Sequence, residues 1–349
     1  MLESQEKLDL NMHDSNRSKL KIKELPLVLN LRDLINFLEI SHSLLENYFT
    51  FKSSLLIYKT FFIAKKSGGH REIFIPVPKL KSIQSKILVE ILEKINISKF
   101  AHGFIKKRSI VSNAQEHLES QVIYKIDLVD FFPSIKFDKV HEVFKKIGYS
   151  EYISYLFGLL CTHLRGYNEM SQEKSSLNLN KLRFLPQGAI TSPIISNLVC
   201  SKLDKDLNKI ARIYGFRYTR YADDIAFSSQ YRKDITNKFR KKIHSIIKKH
   251  GFSINRKKEC LSYNRNFQRV TGINVQNSEL SLPRKWIKNL RSALHHLEND
   301  YNQIDEECIE IMKNIEGRCA YALMVNKKKY NHYYQDFISI KNNISKRSE

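Results

Sequence analysis

The 349-residue sequence predicts an α+β fold. Three observations carry that expectation: several stretches repeat apolar residues at three-to-four spacing, short β-branched and aromatic runs lie between them, and two pairs of those runs meet across turn-forming residues. At about 150 residues per domain, the length suggests two or three structural units. An apolar share of 42%, with 11 glycines and 7 prolines, excludes a disordered or collagen-like chain.

Residues 28–50 read as a helix, with Leu31, Leu34, Ile35, Leu38, Leu44, Leu45 and Tyr48 at helical spacing. Two β-rich runs follow, YKTFFIA and REIFIPV, joined across Lys65-Lys66-Ser67-Gly68-Gly69-His70, where the Gly-Gly pair marks a hairpin tip. Helix returns over 79–97, with Leu80, Ile83, Ile87, Leu88, Ile91 and Ile95 on one face, and a strand, QVIYKID, then runs into Asp127. Ser192 reads as a helix N-cap and Pro193 as the first helical position of a stripe through Ile195, Leu198, Val199, Leu203, Leu207 and Ile210, which Gly215 stops. FRYTRYA and IAFSS form two short strands about Asp223-Asp224, a turn in which aspartate tolerates the left-handed backbone. A basic amphipathic helix turns Ile235, Phe239, Ile243, Ile246 and Ile247 inward and ends near Gly251; from about 283 the tail is helical and nearly neutral. No repeat and no Gly/Ser linker separates these elements, so the units are expected to be interleaved.

Lys and Arg number 59 against 36 Asp and Glu, a net charge of +23, which makes a polyanion the expected partner. Most of the excess falls in two stretches, 52–108 at +10 and 231–269 at +11, suggesting channel walls that bind nucleic acid through counterion release. Five cysteines, at 161, 200, 260, 308 and 319, make no C-x-x-C pair and leave one over. That argues against a disulfide framework or a zinc module and suits a reducing cytosol. The start, MLESQEKLDL, has no basic segment followed by an apolar one, and no run nears the roughly 18 apolar residues of a membrane span. A soluble cytoplasmic protein without a membrane partner is expected.

In so basic a chain the informative residues are acidic. Asp127 closes one strand, and Asp223-Asp224 tips a hairpin 96 residues later. If the strands are neighbours, the carboxylates converge and repel unless divalent cations lie between them. Two Mg²⁺ ions about 3.5–4 Å apart on hard oxygen ligands serve phosphoryl transfer in this way, with Mn²⁺ as a substitute. One ion would lower the pKa of an attacking hydroxyl and the other steady a leaving pyrophosphate, the chemistry of a nucleotidyl polymerase. Read alone, the same aspartates also fit a polar turn and a helix cap.

Tyr221-Ala222-Asp223-Asp224 matches the Y-x-D-D signature of reverse transcriptases, and the run DLVDFF from Asp127 to Phe132 resembles their first metal-binding motif. Leu185-Pro186-Gln187-Gly188 resembles L-P-Q-G, and Lys65 to Arg71 the fingers segment K-x-G-G-x-R. All occur in the family's order over roughly 57–275. Asn113-Ala114-Gln115-Glu116-His117 fits N-A-x-x-H and Val270-Thr271-Gly272 fits V-T-G, so the chain resembles a bacterial retron reverse transcriptase. One departure is Ile190, which stands where the pattern G-A-P-T-S-P has a proline.

The resemblance implies a right-hand polymerase. It assigns 1–48 to an N-terminal helical segment, 49–120 and 136–191 to fingers, 121–135 and 192–280 to palm, and 281–349 to a helical thumb. Asp127 and Asp223 would ligate both metals with help from the Leu128 carbonyl, and Asp224 would be a weaker or outer ligand. Lys65 and Arg71 would grip the triphosphate, with Lys66 their neighbour. Phe132 would sit under the sugar and exclude a 2′-hydroxyl. Gln187 and Gly188 would lie against the incoming nucleotide, and Lys258 would donate a proton to pyrophosphate or offset its charge. Tyr221 would pack beside the primer end. Asn113 and His117, on one helix face with Ala114 between them, would bind RNA or brace the fold; Val270, Thr271 and Gly272 form the second family motif. The segment from Leu282, with Trp286, Arg291 and Gly317 to Tyr321, resembles the thumb that recognises a cognate RNA.

The implied activity is RNA-directed DNA synthesis on a structured noncoding RNA that is both template and primer. Priming from a guanosine 2′-hydroxyl would give branched RNA-linked DNA, called msDNA. The implied partners are that RNA, the RNA–DNA hybrid product, deoxynucleoside triphosphates, a host RNase H for trimming, and an effector protein serving defence against phage. Three alternatives stand beside it: another bacterial reverse transcriptase, of group II intron or diversity-generating type; a palm-type nucleotide cyclase; and a non-catalytic RNA-binding protein with a palm fold.

Overall fold

Helix α1 (His13–Ile22) precedes the periodic stretch at 28–50, which folds as two helices, α2 (Leu31–Leu38) and α3 (His42–Phe49), in place of the single one expected. Asn30 caps α2 by accepting from the Asp33 amide, and Glu39 ends it in the left-handed region at φ 55°. The Ser41 hydroxyl then accepts from the Leu44 amide and starts α3 afresh. The computed structural model describes residues 13–49, 57–65, 68–164, 179–232, 234–264, 267–301 and 304–348. The N-terminal run MLESQEKLDL, the start of the fingers segment at 50–56, residues 165–178 and Lys66 lie outside the described residues.

Strands β1 (Tyr58–Ala64) and β2 (His70–Pro76) pair antiparallel, and Gly68 and Gly69 turn the chain at φ 87° and 77°, as the Gly-Gly pair predicts. Helix α4 (Pro78–Glu90) stops short of the expected 97 because Ile91 leaves helical geometry, and a single 3₁₀ turn follows. Next come α5 (Ile110–Gln115), β3 (Val122–Asp127), the one-turn α6 (Phe131–Ser134), α7 (Phe137–Ile147), α8 (Glu151–Cys161), β4 (His163–Leu164) and β5 (Arg183–Phe184). The stripe opened at Ser192 is carried by two consecutive helices, α9 (Ser192–Val199) and α10 (Ser201–Ile213). Thr191 is the N-cap residue, and Ser192 lies inside the first turn with its hydroxyl donating to the Pro186 carbonyl at 2.6 Å. The rest is β6 (Arg217–Tyr221), β7 (Asp224–Ser229), α11 (Asn237–Lys249), β8 (Cys260–Tyr263), β9 (Arg269–Val270), β10 (Ile273–Asn274), α12 (Arg284–Asp300), α13 (Glu306–Val325) and α14 (Lys327–Ser348).

The chain divides into two interleaved units. The first takes its described residues from 1–104, 128–207 and 243–255, the second from 105–127, 208–242 and 256–349. In the first, α7 and α8 stack Phe144 on Phe157 at 5.0 Å, and buried Gln84 of α4 donates to the Tyr58 hydroxyl and the Leu160 carbonyl.

The second unit is built on an antiparallel sheet in the order β6-β7-β3-β8. Side chains alternate across a strand, so its two faces bury different sets. Tyr124, Tyr218 and Phe227 lie on one face, where Tyr124 and Phe227 pack against Phe239 of α11. Ile123 and Ala226 on the other join Ala114, Val270, Ile273, Leu282, Ala322 and Val325 in one core. Beyond it α12, α13 and α14 form a bundle whose buried residues, such as Leu290, Leu294 and Leu297, recur at three-to-four spacing. All five cysteines are free thiols. Among the described residues no helix is long and apolar enough to cross a membrane.

Candidate catalytic site

The sheet register brings the carboxylates together. Strand β3 ends on Asp127, strand β7 begins on Asp224, and the antiparallel pairing sets the two directly opposite each other. Such pairs hold their Cβ atoms about 4.5–5.5 Å apart. Tyr221 pairs with Asp224, so Ala222 and Asp223 are the two loop residues of the β6-β7 hairpin. The left-handed conformation expected of an aspartate falls instead on Ala222, at φ 55°. Its carbonyl accepts from the fully buried Arg220 guanidinium at 3.2 Å, which fastens the turn from below.

Charge is crowded here. Asp127 is 8% exposed, while Asp224 keeps contact with solvent. The protein mass around Asp224, and then the neighbouring Asp223 and Asp127 carboxylates, push its carboxyl up to about 6, against a smaller opposing pull from Lys125 and Lys258. The Lys258 ammonium donates to Asp127 Oδ2 at 2.8 Å, and that bond raises the lysine's pKa. Lys258 thus touches the carboxylate expected to hold metal.

Does this donor set suit a divalent cation? Three carboxylates face two lysines, all the ligand atoms are hard oxygens, and the excess negative charge already disfavours ionisation of Asp224. Among the described residues no three His, Cys, Asp or Glu side chains enclose an ion by themselves. Mg²⁺ does not require such a cage, since it is commonly held by one or two carboxylates together with substrate phosphates and water. The residues fit.

The other expected nucleotide contacts belong to the first unit. Lys65 and Arg71 are exposed near the tip of the β1-β2 hairpin, whose loop is closed by the Lys65 amide donating to the Gly69 carbonyl at 2.9 Å. Gln187 accepts at its carbonyl from the Phe74 amide of β2 at 2.7 Å. Gly188 takes φ 119°, and a Cβ there would come within 2.7 Å of the Phe74 carbonyl oxygen. The smallness expected to admit a nucleotide is therefore also demanded by β2. Phe131 is core, stacked on Phe252, whereas Phe132 is half-buried and rests on Phe104 at 6.1 Å. Leu128 follows Asp127 directly, is buried, and bridges to Ile254.

The fixed residues of the first short family motif are buried, whereas in the second Thr271 is half-buried and Gly272 exposed. Asn113, Ala114 and His117 are 2%, 0% and 0% exposed, burial that suits the bracing half of their expected role. Helix α5 ends at Gln115, and His117 lies in the turn beyond rather than on a shared helix face. Each ring nitrogen of His117 is 2.7 Å from a hydroxyl, Nδ1 from Ser228 and Nε2 from Thr219. Val270-Thr271-Gly272 is a hairpin: β9 and β10 pair Val270 with Ile273, and the two loop residues have φ 49° and 85°.

A cleft of about 750 Å³ between the β9-β10 region and helices α12 and α14 is lined by Phe267, Arg284, Lys288, Arg291, Lys329 and Tyr333 among others, with no acidic residue among the described ones. Trp286 is half-buried and packs on Tyr321 at 5.3 Å at the edge of the core. Sequence reasoning missed Arg220, Lys125, Thr219 and Ser228. The available signal was a charged or hydroxyl residue inside a predicted strand, two to five residues from one of the candidate aspartates.

Three comparisons bear on this geometry. The profile of the reverse transcriptase (RNA-dependent DNA polymerase) family matches residues 63–335. The retron Ec86 reverse transcriptase of Escherichia coli is 35% identical over 290 residues, covering 81% of this chain and 82% of that protein. The retron Ec73 enzyme of Escherichia coli is 31% identical, covering 80% and 88%; the retron Mx65 enzyme of Myxococcus xanthus is 34% identical, covering 77% and 61%. Among solved structures, telomerase from Candida albicans with a fragment of telomeric RNA aligns over 83% of this chain and 59% of its own. At 12% identity and a TM-score of 0.41, that superposition is too loose to add to the sequence matches.

Proposed function

We propose, because the chain belongs to the reverse transcriptase family and to its retron branch, that it copies part of a structured noncoding RNA into DNA that stays joined to that RNA, the branched product msDNA. The observation that carries the catalytic reading is the register pairing of Asp127 with Asp224 beside Asp223, a carboxylate cluster that calls for cations.

Asp127 and Asp223, with the Leu128 carbonyl, would hold two Mg²⁺ ions, or Mn²⁺ in their place, and Asp224 would be the outer ligand. When bound, the metals supply a Lewis acid for the attacking 3′-hydroxyl and a counter-charge for the leaving pyrophosphate. Arg220 and the Ala222 carbonyl hold the turn in place. Lys258, which donates to Asp127, would offset or protonate pyrophosphate. Lys65 and Arg71 would grip the triphosphate, Arg71 as a planar fork and Lys65 as a point charge. Gln187 and Gly188 would border the nucleotide and Phe132 would exclude a 2′-hydroxyl. Palm is then 121–135 and 192–280, thumb 281–349, and fingers 49–120 and 136–191.

The cognate RNA would engage the thumb cleft, where cationic and aromatic side chains alternate in the pattern that takes phosphates and stacked bases. Deoxynucleoside triphosphates, the hybrid product, a host RNase H and a defence effector complete the proposed partners. The test is purification with the co-expressed noncoding RNA, followed by RNase and DNase digestion in turn. The expected product is DNA covalently tied to RNA, lost when Asp223→Ala replaces the wild type while RNA still binds. Near-normal synthesis by that variant would overturn the metal assignment; unlinked DNA would favour another class of bacterial reverse transcriptase.

A further inference from the structure

His117 is fully buried, makes no use of solvent, and lies on the face of the sheet that carries the carboxylates. Alternation fixes that face. In β7, Asp224, Ala226 and Ser228 point the same way; in β6, Tyr221 and Thr219 do; in β3, Asp127, Lys125 and Ile123 do. The imidazole spans β6 and β7 from above, 2.7 Å from the Thr219 hydroxyl and 2.7 Å from the Ser228 hydroxyl. A neutral imidazole has one donor and one acceptor nitrogen, so one hydroxyl must accept and the other donate. Thr219 is two residues from Tyr221, roughly 7 Å along the strand, and Ser228 is four residues from Asp224.

The segment that carries His117 is itself tied down. Ser109 caps α5 with a reciprocal capping box to Ser112, and the Thr271 hydroxyl donates to the carbonyl of Ile110, the first residue of α5, at 3.0 Å. Thr271 is β-branched and left-handed, at φ 49°, a conformation such residues avoid unless something holds them. Ala114 and Val270 share one buried cluster with Ile123 and Ala226 of the sheet. The two motifs, more than 150 residues apart in sequence, are therefore linked through α5, whose first residue accepts from Thr271, and through the core that Ala114 and Val270 share with Ala226 of the β6-β7 hairpin.

We propose that His117 is a positioning residue for the carboxylate hairpin: it cross-ties β6 and β7 through Thr219 and Ser228, and Thr271 holds the short helix that places it. The proposal rests on the reading of Asp127, Asp223 and Asp224 as metal ligands. A buried cross-tie of this kind fixes the hairpin's twist and hence where the Asp223 and Asp224 oxygens stand relative to Asp127. Misplacing metal ligands lowers kcat and raises the metal requirement, but leaves nucleotide and RNA binding alone.

The test compares full-length wild type, His117→Gln, Thr219→Val, their double variant and Thr271→Val in Mg²⁺-dependent primer extension, after thermal unfolding has established the folded fraction of each. His117→Gln should lower kcat about tenfold, equivalent to about 1.4 kcal/mol, and raise the Mg²⁺ concentration for half-maximal rate, with KM for deoxynucleotide within about twofold. Thr219→Val should do the same, and the double variant should be no worse than the poorer single, because both break one tie. Thr271→Val should lower kcat about threefold. If His117→Gln does not fold, Thr219→Val and Ser228→Ala, which alter a single hydroxyl each, carry the comparison. Wild-type kcat and Mg²⁺ requirement in folded His117→Gln would overturn the proposal, as would single effects that multiply in the double variant or a loss confined to RNA affinity. Asp223→Ala separates the two readings. If it still synthesises DNA, the metal assignment has failed; if it is inactive while His117→Gln is normal, only the positioning role has.

Discussion

Gly188→Ala isolates a contact that the L-P-Q-G sequence conceals. At φ 119° the residue occupies backbone space that L side chains rarely enter, and its Cβ would stand 2.7 Å from the Phe74 carbonyl oxygen and 2.9 Å from Ile73 Cγ2. The first of these is a backbone atom of a paired strand, so the loop must move. The conformational part costs about 1–2 kcal/mol. Moving the loop stretches the 2.7 Å bond between the Phe74 amide and the Gln187 carbonyl, worth about 1 kcal/mol net. The expected loss is about 2–3 kcal/mol, read by urea unfolding of the full chain, together with a raised KM for deoxynucleotide if Gln187 borders the nucleotide. Gly69→Ala is the control: Gly69 has φ 77° but nothing within 4 Å of its virtual Cβ, so it should lose only the conformational part, about 1 kcal/mol. If Gly188→Ala proved no more costly than Gly69→Ala, the close approach to β2 would be irrelevant and the reasoning refuted.

Phe132→Ala should raise ribonucleotide incorporation relative to deoxynucleotide on the order of tenfold in single-nucleotide extension, and unchanged sugar discrimination would remove its gate role. Lys258→Gln should tighten Mg²⁺ binding about two- to fivefold by calorimetric titration, because the ion no longer competes with an ammonium that is half exposed; weaker binding would mean that the lysine supports the site. Asp224, raised from an ordinary 3.8 to about 6, binds more protons folded than unfolded between those values. Without metal it should therefore destabilise the protein progressively as pH rises from about 4 to 6, with the loss complete above 6. After allowance for solvent screening, Asp224→Asn should gain about 1 kcal/mol at pH 8 in EDTA and nothing near pH 3.5, and an equal gain at both would contradict the assignment.

Much of the site was legible because its chemistry sits on short strands with simple periodicity. QVIYKID and IAFSS announce strands ending on Asp127 and starting beside Asp224, and two loop residues are all that Tyr221 to Asp224 can accommodate. Helix limits were less legible. Nothing in the apolar spacing of 28–50 reveals that Glu39 turns left-handed, and the stripe through Ile210 continues across the break at Cys200 without losing phase. The role of His117 was illegible for a different reason. Its partners, Ser228 and Thr219, lie 111 and 102 residues away and are chemically ordinary, so only the sheet register, which sequence does not display, brings them under one ring.

The same register gives this basic protein an energetically poor carboxylate cluster at one end of the β6-β7-β3-β8 sheet. Pairing Asp127 with Asp224 places like charges in adjacent strands, and the Lys258 ammonium on Asp127 and the disfavoured ionisation of Asp224 both relieve that repulsion. A divalent cation held by these carboxylates would reverse both accommodations, displacing the ammonium and favouring the ionised form of Asp224. Repulsion among the carboxylates that costs stability would then be the same free energy that favours binding of the proposed cation. Holding the carboxylates in that unfavourable arrangement requires a scaffold that does not relax. Arg220 beneath the turn and the proposed His117 bridge across β6 and β7 are polar devices that would keep the hairpin from twisting the carboxylates apart.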